Sequence, residues 1–289
     1  MGKLSCFEIM LVQPLGVYHA GQTLTGKVKV ALRESMKMKA LHLWICGRAR
    51  VGETGKRGGK GKTKKDKGAE EVYIDHKMCL FGDGESAQMH PEGECWYDFS
   101  LPLPDSLPSS MEAKLGYVRY FCQAVIDRPW KFNHETKKVF TVLSTMDLNK
   151  ESKEFKNADE GLAHTSVRCC CCVRGECSAL FRINKRAFVP GEAIVIYAEV
   201  KNQSNADIQG SRACIKQYID FYGVPSALSK KKKAEPRRVS CIVASKDHGR
   251  IPAGQTDVWN NERIVVPRYR PHDSSAVRSS IYHMPSSST

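Results

Sequence analysis

The sequence lacks the long apolar segments that membrane and secreted proteins carry. No uncharged apolar run approaches the ~18 residues that a membrane-spanning helix needs. The N-terminus, Met1–Glu8, contains no apolar core of a secretory signal, so a cytoplasmic chain is expected. Because thiols stay reduced in the cytoplasm, we expect the 12 cysteines to form no structural disulfides.

Sequence patterns of familiar catalytic sites are also missing. There is no Gly-x-Ser-x-Gly turn, no His-Glu-x-x-His motif and no pair of carboxylates in an apolar setting. The nine histidines are scattered, and a histidine such as His76 on a strand is more often a packed or exposed ring than a catalyst. The sequence therefore predicts no enzyme, and no cofactor is expected.

Helical periodicity is almost absent, whereas apolar residues alternate with polar ones in several segments. Such period-2 alternation covers residues 72–80, 95–103, 118–126 and 194–200, with Gly, Pro and Ser between these segments. Many short strands without intervening helices are typical of antiparallel β-sandwiches. A length of 289 residues fits two domains or one large domain.

An internal repeat favours two copies of one sandwich. The pattern of Tyr18–Val30, an aromatic residue, a Gly turn and an alternating strand, returns 170 residues later at Phe188–Val200. A second anchor pairs Trp96 with Trp259, at an offset of 163 residues. We expect an N-terminal sandwich over residues 1–147, a charged and Cys-rich linker over 148–176 and a C-terminal sandwich over 177–289.

The second copy is shorter than the first. After Trp96 the first copy contains two more predicted strands, Gly116–Ile126 and Lys138–Leu143, whereas 30 residues follow Trp259. By the repeat offset, Ser280–Met284 corresponds to the start of the first of these strands, and the next strand has no counterpart. We therefore expect an incomplete C-terminal sandwich with an uncovered edge, less stable than the N-terminal one.

The formal net charge of +14 is concentrated in two segments. Residues 48–67 carry +7 and residues 230–238 carry +5, so the rest of the chain is nearly neutral. An anionic lipid surface or a phosphorylated tail would meet these segments. The predicted anion contacts are Arg57, Lys60, Lys62, Lys64, Lys65, Lys67, Lys230, Lys231, Lys232, Lys233, Arg237 and Arg238.

The basic segments have alternative interpretations. Gly55–Thr63 ends in Gly-Lys-Thr, but Lys56 stands where a nucleotide-binding loop needs Gly, and no apolar helix follows. A solvated loop is one alternative, and binding of nucleic acid or other polyanions through Lys and Arg is another. Neither segment contains Phe, Tyr or Trp for base stacking, which argues against nucleic acid.

Four adjacent cysteines, Cys169, Cys170, Cys171 and Cys172, suggest zinc or lipid. Neighbouring residues of an extended chain point to opposite sides, so four adjacent thiols do not readily converge on one tetrahedral ion. No metal site is therefore predicted. S-acylation is one remaining interpretation, since one acyl chain and a basic patch can hold a peripheral protein at a membrane. A place in the linker or the first strand of the second domain is the other.

Six blocks of residues follow one another in a recognisable order. They are Phe7–Ile9, Tyr18–Gly26, Leu115–Tyr120, Asp127–Trp130, Pro190–Glu192 and Glu199–Ser204. Over residues 6 to 267, these blocks resemble the arrestin domain-containing proteins, or α-arrestins. Leu-Gly-Tyr-Val-Arg-Tyr and Asp-Arg-Pro-Trp are the specific blocks, because Gly turns alone recur in many folds.

The resemblance implies two tandem antiparallel arrestin-like, immunoglobulin-like β-sandwiches and a cytosolic adaptor. The implied partners are cytoplasmic tails of membrane proteins and the trafficking or ubiquitin-ligase machinery, at the plasma membrane or endosomes, in endocytic sorting and protein transport. α-Arrestins usually carry Pro-Pro-x-Tyr motifs that dock ligases, whereas Val266–Tyr269 lacks the first Pro. We therefore expect cargo binding without a ligase-docking motif in these residues.

Overall fold

The computed structural model describes residues 3–52, 69–144, 146–169, 172–222 and 236–268, with the backbone alone at 167–169 and 172–174. In this part of the chain, seventeen β-strands and one 3-10 turn form two compact units, which divide mainly at Met146 and Asp147. The all-β fold predicted from the alternating segments is confirmed. No helix in the described ranges is long and apolar enough to span a membrane.

The first unit contains eleven strands in three sheets. A three-stranded sheet has the order β1-β3-β8, and a six-stranded sheet has the order β2-β11-β10-β5-β6, with β9 beside β10. Strands β4 and β7 form a small third sheet. The strands are β1 (Leu4–Leu11), β2 (Val17–His19), β3 (Thr23–Leu32), β4 (Met36–Met38), β5 (Ala40–Val51), β6 (Glu70–Gly82), β7 (Gln88–His90), β8 (Gly93–Pro102), β9 (Met111–Ala113), β10 (Gly116–Asp127) and β11 (His134–Leu143).

The core of the first unit follows from the alternation along β10. Val118, Tyr120, Cys122, Ala124 and Ile126, which the sequence placed on one side of a strand, are all buried. They belong to a core cluster of 22 buried apolar residues. Burial of large apolar side chains stabilises by about 1.5–3 kcal/mol each, so this cluster dominates the stability of the unit.

The alternation along β6 is broken, unlike that along β10. Residues 72 to 80 were expected to place Val72 and Ile74 on one side and Tyr73 on the other. Instead, the ladder with β5 shifts between Gly47 and Arg48, which leaves Tyr73 as an extra residue on β6. Tyr73 packs against the core, whereas Val72 is 56% exposed. A β-bulge turns the side chains that follow to the opposite faces, which a strict period of two does not predict.

The second unit contains six strands and the 3-10 turn. Four strands form a sheet in the order β12-β13-β14-β17, and β15 pairs with β16. The segment assigned to a linker, 148–176, thus contains β12 and the start of β13, which pair with each other. The elements are the 3-10 turn (Lys153–Lys156), β12 (Asp159–Cys169), β13 (Cys172–Ile183), β14 (Ala193–Ser204), β15 (Arg212–Phe221), β16 (Arg237–Asp247) and β17 (Thr256–Val265).

The strand registers confirm the internal repeat. In the first unit Thr23 lies opposite Pro102, and in the second unit Ala193 lies opposite Val265. These residues are related by the offsets of 170 and 163 that the sequence shows. The turns agree as well, because Gly21 and Gly191 both have positive φ, 83° and 90°, a conformation that favours glycine.

The two repeated tryptophans have opposite environments. Trp96 on β8 is 44% exposed, whereas Trp259 on β17 is only 2% exposed. Between Glu262 and Trp259, β17 has one residue more than β14 has opposite it, and Asn261 adopts a left-handed φ of 56°. This bulge reverses the faces of the residues before it, so that Trp259 points into the core of its sandwich.

The expected strand stub Ser280–Met284 lies outside the described residues. Within the described ranges, the four-stranded sheet ends at β12 and β17. Whether the second sandwich is incomplete therefore stays a prediction.

Candidate interaction sites

The first basic segment lies between two paired strands. Residues 53–68 connect β5 to β6, and Arg50 lies opposite Glu70 where the ladder resumes. At the base of this hairpin, Arg48 Nη1 lies 3.1 Å from Glu70 Oε1. An anion that binds the basic segment would therefore lie next to β6. The predicted contacts Arg57, Lys60, Lys62, Lys64, Lys65 and Lys67 lie outside the described residues, and their role stays a prediction.

The second basic segment lies between β15 and β16, and Lys230 to Lys233 are outside the described residues. Arg237 and Arg238 begin β16. The Arg238 guanidinium donates to both carboxylate oxygens of Asp220, at 2.8 Å each, and lies over the Tyr218 ring. This hydrogen bonding lowers the pKa of Asp220. Asp220 thus balances the charge of Arg238, which makes Arg238 a weaker candidate for an anion contact than the sequence suggested.

The four adjacent cysteines lie at a hairpin turn between β12 and β13. Cys169 and Cys172 are opposite each other in the ladder, and residues 170 and 171 lie outside the described ranges. S-acylation of this turn therefore stays a prediction. The cysteines whose side chains the structure describes are all thiols, and burial raises the pKa of Cys122 to about 12.

Strand β6 is an edge of the six-stranded sheet. Its exposed carboxylates already have partners, because Asp75 accepts a 2.6 Å hydrogen bond from Trp44 Nε1 and Glu71 accepts one from Tyr73. On the outer side of β6, no strand of the described residues pairs with it. The strand therefore presents backbone donors and acceptors that can bind an extended peptide.

The turn between β10 and β11 is a feature that the sequence analysis did not identify as a site. Trp130 is 102% exposed and Phe132 is 97% exposed. The available signal was a pair of aromatic residues beside Arg128 and Lys131 at a strand end. We name residues 128–134 the aromatic tip. An open recess of about 760 Å³ is lined by Arg128, Trp130, Lys131, Phe132, Asn133 and His134.

A cluster of Ser211, His248, Asp257 and Trp259 has the residue types of a catalytic triad but a different geometry. His248 Nδ1 lies 3.0 Å from Asp257, and Ser211 Oγ donates to the same carboxylate at 2.9 Å rather than to His248. Trp259 Nε1 donates to Ser211 Oγ at 2.8 Å. A nucleophile needs a base within reach of its proton, so this network positions Trp259 instead. Among the described residues, no group of three His, Cys, Asp or Glu could hold a metal ion.

Two family models match the chain. The N-terminal domain of arrestin (or S-antigen) matches residues 7–149, and the C-terminal domain matches residues 174–285. These matches cover most of the chain. The chain therefore belongs to the family of arrestin domain-containing proteins, and its fold is a tandem of two arrestin β-sandwiches. The resemblance found in the sequence blocks is confirmed.

Curated relatives match over nearly the whole chain. Arrestin domain-containing protein 17 of Caenorhabditis elegans is 31% identical over 280 residues, which cover 94% of this chain and 64% of that protein. Thioredoxin-interacting protein of Homo sapiens is 25% identical over 275 residues, covering 93% of this chain and 66% of that protein. The protein of the same name from Sus scrofa matches equally, with 25% identity over 275 residues. The chain thus spans just under two thirds of the length of these relatives.

Proposed function

We propose that this chain is a non-catalytic adaptor of the α-arrestin type, which binds cytoplasmic tails of membrane proteins and supports their endocytic sorting and transport. Membership of the arrestin family supports an adaptor that binds other proteins. Its further partners in this proposal are the trafficking and ubiquitin-ligase machinery. The proposed location is the cytoplasmic face of the plasma membrane or of endosomes.

The observation that carries the tail-binding part is the outer edge of β6. An extended peptide can add a strand to such an edge, with backbone hydrogen bonds for affinity and alternate side chains for specificity. Strand β6 has 13 residues, which is long enough to hold a peptide over several residue pairs. Membrane-protein tails that are unstructured in solution can adopt this extended form.

Charge favours acidic or phosphorylated tails at this edge. The basic segment 48–67, with +7, precedes β6 directly along the chain. Two carboxylates of β6 that would repel an acidic peptide are held by partners, Glu70 by Arg48 and Asp75 by Trp44. Complementary charge mainly raises the association rate and selects the partner, while the strand edge provides the backbone contacts.

Fluorescence anisotropy with acidic peptides, phosphorylated and unphosphorylated, tests the proposal. Replacing Lys60, Lys62, Lys64, Lys65 and Lys67 by Gln should weaken peptide binding at least about fivefold at low salt, with the melting temperature unchanged. Replacing Lys230 to Lys233 by Gln is the matched control and should have a smaller effect. A peptide with N-methyl groups at alternate residues should not bind, because it cannot pair with a strand edge.

Single- and double-stranded oligonucleotides at physiological salt form the comparison arm. Under the proposal, peptides bind more tightly than oligonucleotides at physiological salt. Tighter binding of oligonucleotides would replace the adaptor by a polyanion-binding protein. Equal binding of the N-methylated and unmodified peptides would exclude strand addition at β6.

A further inference from the structure

We propose that the aromatic tip (residues 128–134) is a membrane-docking element, in which Trp130 and Phe132 enter the interface of an anionic lipid bilayer. The inference goes beyond the proposed function, because peptide addition at β6 does not require the tip. It uses residues of the β10–β11 turn and none of the basic segments.

The exposure of the tip is the first argument. Single exposed apolar residues are common on protein surfaces. Here, however, two aromatic rings only two residues apart are both fully exposed, at 102% and 97%. Tryptophan and phenylalanine usually bury 150–250 Å² each in a folded protein. A turn that leaves both rings in water fits a surface that becomes covered when the protein binds.

The tip has a defined conformation, which is the second argument. The Arg128 backbone N–H donates to Asn133 Oδ1 at 3.1 Å, and Arg128 Nη1 donates to His134 Nε2 at 2.6 Å. Burial and the neighbouring Arg128 lower the pKa of His134, so the ring is neutral and accepts this bond near pH 7. Trp130 has a φ of 58°, which is rare for a bulky residue. These contacts hold the turn in a shape that leaves its rings outward.

The charge of the tip is the third argument. Residues 128–134 contain Arg128 and Lys131 and no Asp or Glu. The next acidic residue along β11, Glu135, accepts a 2.9 Å hydrogen bond from Gln123. Tryptophan prefers the membrane–water interface, and Arg and Lys beside it attract anionic headgroups. Aromatic rings flanked by cations are the combination found in elements that lie in a bilayer interface.

A bilayer fits the tip better than a protein partner does. A stable protein interface buries about 800 Å² on each partner. A turn of six residues is too small to provide this area alone, and aromatic anchors in protein interfaces need a pocket that fits them. A bilayer interface accepts Trp130 and Phe132 without a matching pocket.

Vesicle flotation with the full chain tests the proposal, using phosphatidylcholine vesicles with and without phosphatidylserine. The double variant Trp130→Ser/Phe132→Ser should bind at least about tenfold more weakly, because both rings lose their apolar burial. The matched control is Leu15→Ser, which removes an apolar side chain that is 89% exposed in the loop between β1 and β2. This control should bind as the unchanged protein does.

Two further measurements separate the roles of the rings and the charge. Lys131→Gln should weaken binding about fivefold on vesicles with phosphatidylserine and leave binding to pure phosphatidylcholine unchanged. Brominated lipids should quench the fluorescence of the unchanged protein more than that of Trp130→Phe. Unchanged vesicle binding of the double variant, an equal loss with Leu15→Ser, or equal quenching of both proteins would overturn the proposal.

Peptide binding without vesicles distinguishes this proposal from the proposed function. The double variant should bind acidic peptides as the unchanged protein does. If it lost peptide binding and kept vesicle binding, the tip would be a protein contact and the membrane proposal would be wrong. If peptides failed to bind any variant while the vesicle results held, the β6 proposal alone would fall.

Discussion

The first sandwich encloses a core of 22 buried apolar residues, whereas the described part of the second encloses three, Ile196, Trp259 and Ile264. The second sandwich instead buries polar side chains such as Asn202 and Gln217. Asn202 Nδ2 donates to the carbonyls of Ala206, Ile251 and Pro252 at 2.8–3.1 Å. The same strand register can thus be stabilised by apolar packing in one copy and by a satisfied polar network in the other.

The bulge at Asn261 links this difference to the sequence. It turns Trp259 inward, whereas Trp96 at the corresponding position of the first copy stays on the surface. Once inside, Trp259 stacks on His248 with ring centroids 4.2 Å apart and donates to Ser211. A single extra residue has therefore exchanged a surface tryptophan for the centre of a second core.

The largest expected effect is a difference in protection between the two sandwiches. Hydrogen exchange measured by mass spectrometry should show amides of β14 and β17 exchanging at least about tenfold faster than those of β5 and β10, because fewer apolar side chains cover them. Equal protection in both sandwiches of a monomer would contradict the comparison. It would also contradict the expected instability of a shortened second copy.

A pair of tryptophan substitutions sharpens the comparison. Trp259→Phe removes the hydrogen bonds from Nε1 to Ser211 and Asp257 and should lower the free energy of unfolding of the second sandwich by about 1–3 kcal/mol. The matched change Trp96→Phe should cost about 0.5 kcal/mol or less, because Trp96 is partly exposed. Urea denaturation followed by circular dichroism measures both values. Equal costs would show that the burial of Trp259 contributes nothing.

The bulge itself can be tested at Asn261. Asn261→Val should destabilise the second sandwich by about 1–2 kcal/mol, because a β-branched residue is disfavoured at a φ of 56°. Asn261→Gly accepts this conformation and should stay within about 0.5 kcal/mol of the unchanged protein. Thermal melting of the three proteins gives the order. A neutral Asn261→Val would mean that β17 pairs without the bulge.

The smallest expected effect is a pH dependence that is specific to the second sandwich. Burial alone raises the pKa of Asp257, but hydrogen bonds from His248, Ser211 and Trp259 outweigh it and hold the pKa below 3.8. A carboxyl with a lowered pKa stabilises the folded state above its ordinary value, and this contribution is lost as the pH falls through the lowered pKa.

We therefore expect the melting temperature of the second sandwich to fall below about pH 4, and Asp257→Asn to flatten this dependence. Asp98→Asn on β8 of the first sandwich is the control and should leave it unchanged. Melting curves between pH 3 and pH 7 measure the effect. An unchanged slope with Asp257→Asn would show that this carboxyl does not govern the acid response.

Much of the fold could be predicted because its core strands alternate strictly. The buried side of β10, from Val118 to Ile126, is visible in the sequence, since every second residue is apolar. Strand β12 was not visible, because its described side chains are mostly exposed and backbone pairing with β13 forms it. Sequence patterns indicate which side chains are buried, and they do not indicate backbone pairing at a solvated edge.

The candidate sites could be predicted only in part for a similar reason. Composition shows where charge is concentrated, but it could not show that Asp220 holds Arg238. Trp130 and Phe132 look like core residues in a sequence, because most aromatic residues are buried. Their exposure depends on the turn that Arg128 and Asn133 close, which is a property of the folded hairpin.

The parallel pairing of β2 with β11 has a consequence for synthesis of the chain. Val17 lies opposite Thr141, so one of the earliest strands waits for a partner that is about 120 residues away. At about 5–20 residues per second, the ribosome needs roughly 6–24 seconds to supply this partner. During this interval the nascent first sandwich cannot close, and chaperones that cover unpaired strands would meet it then.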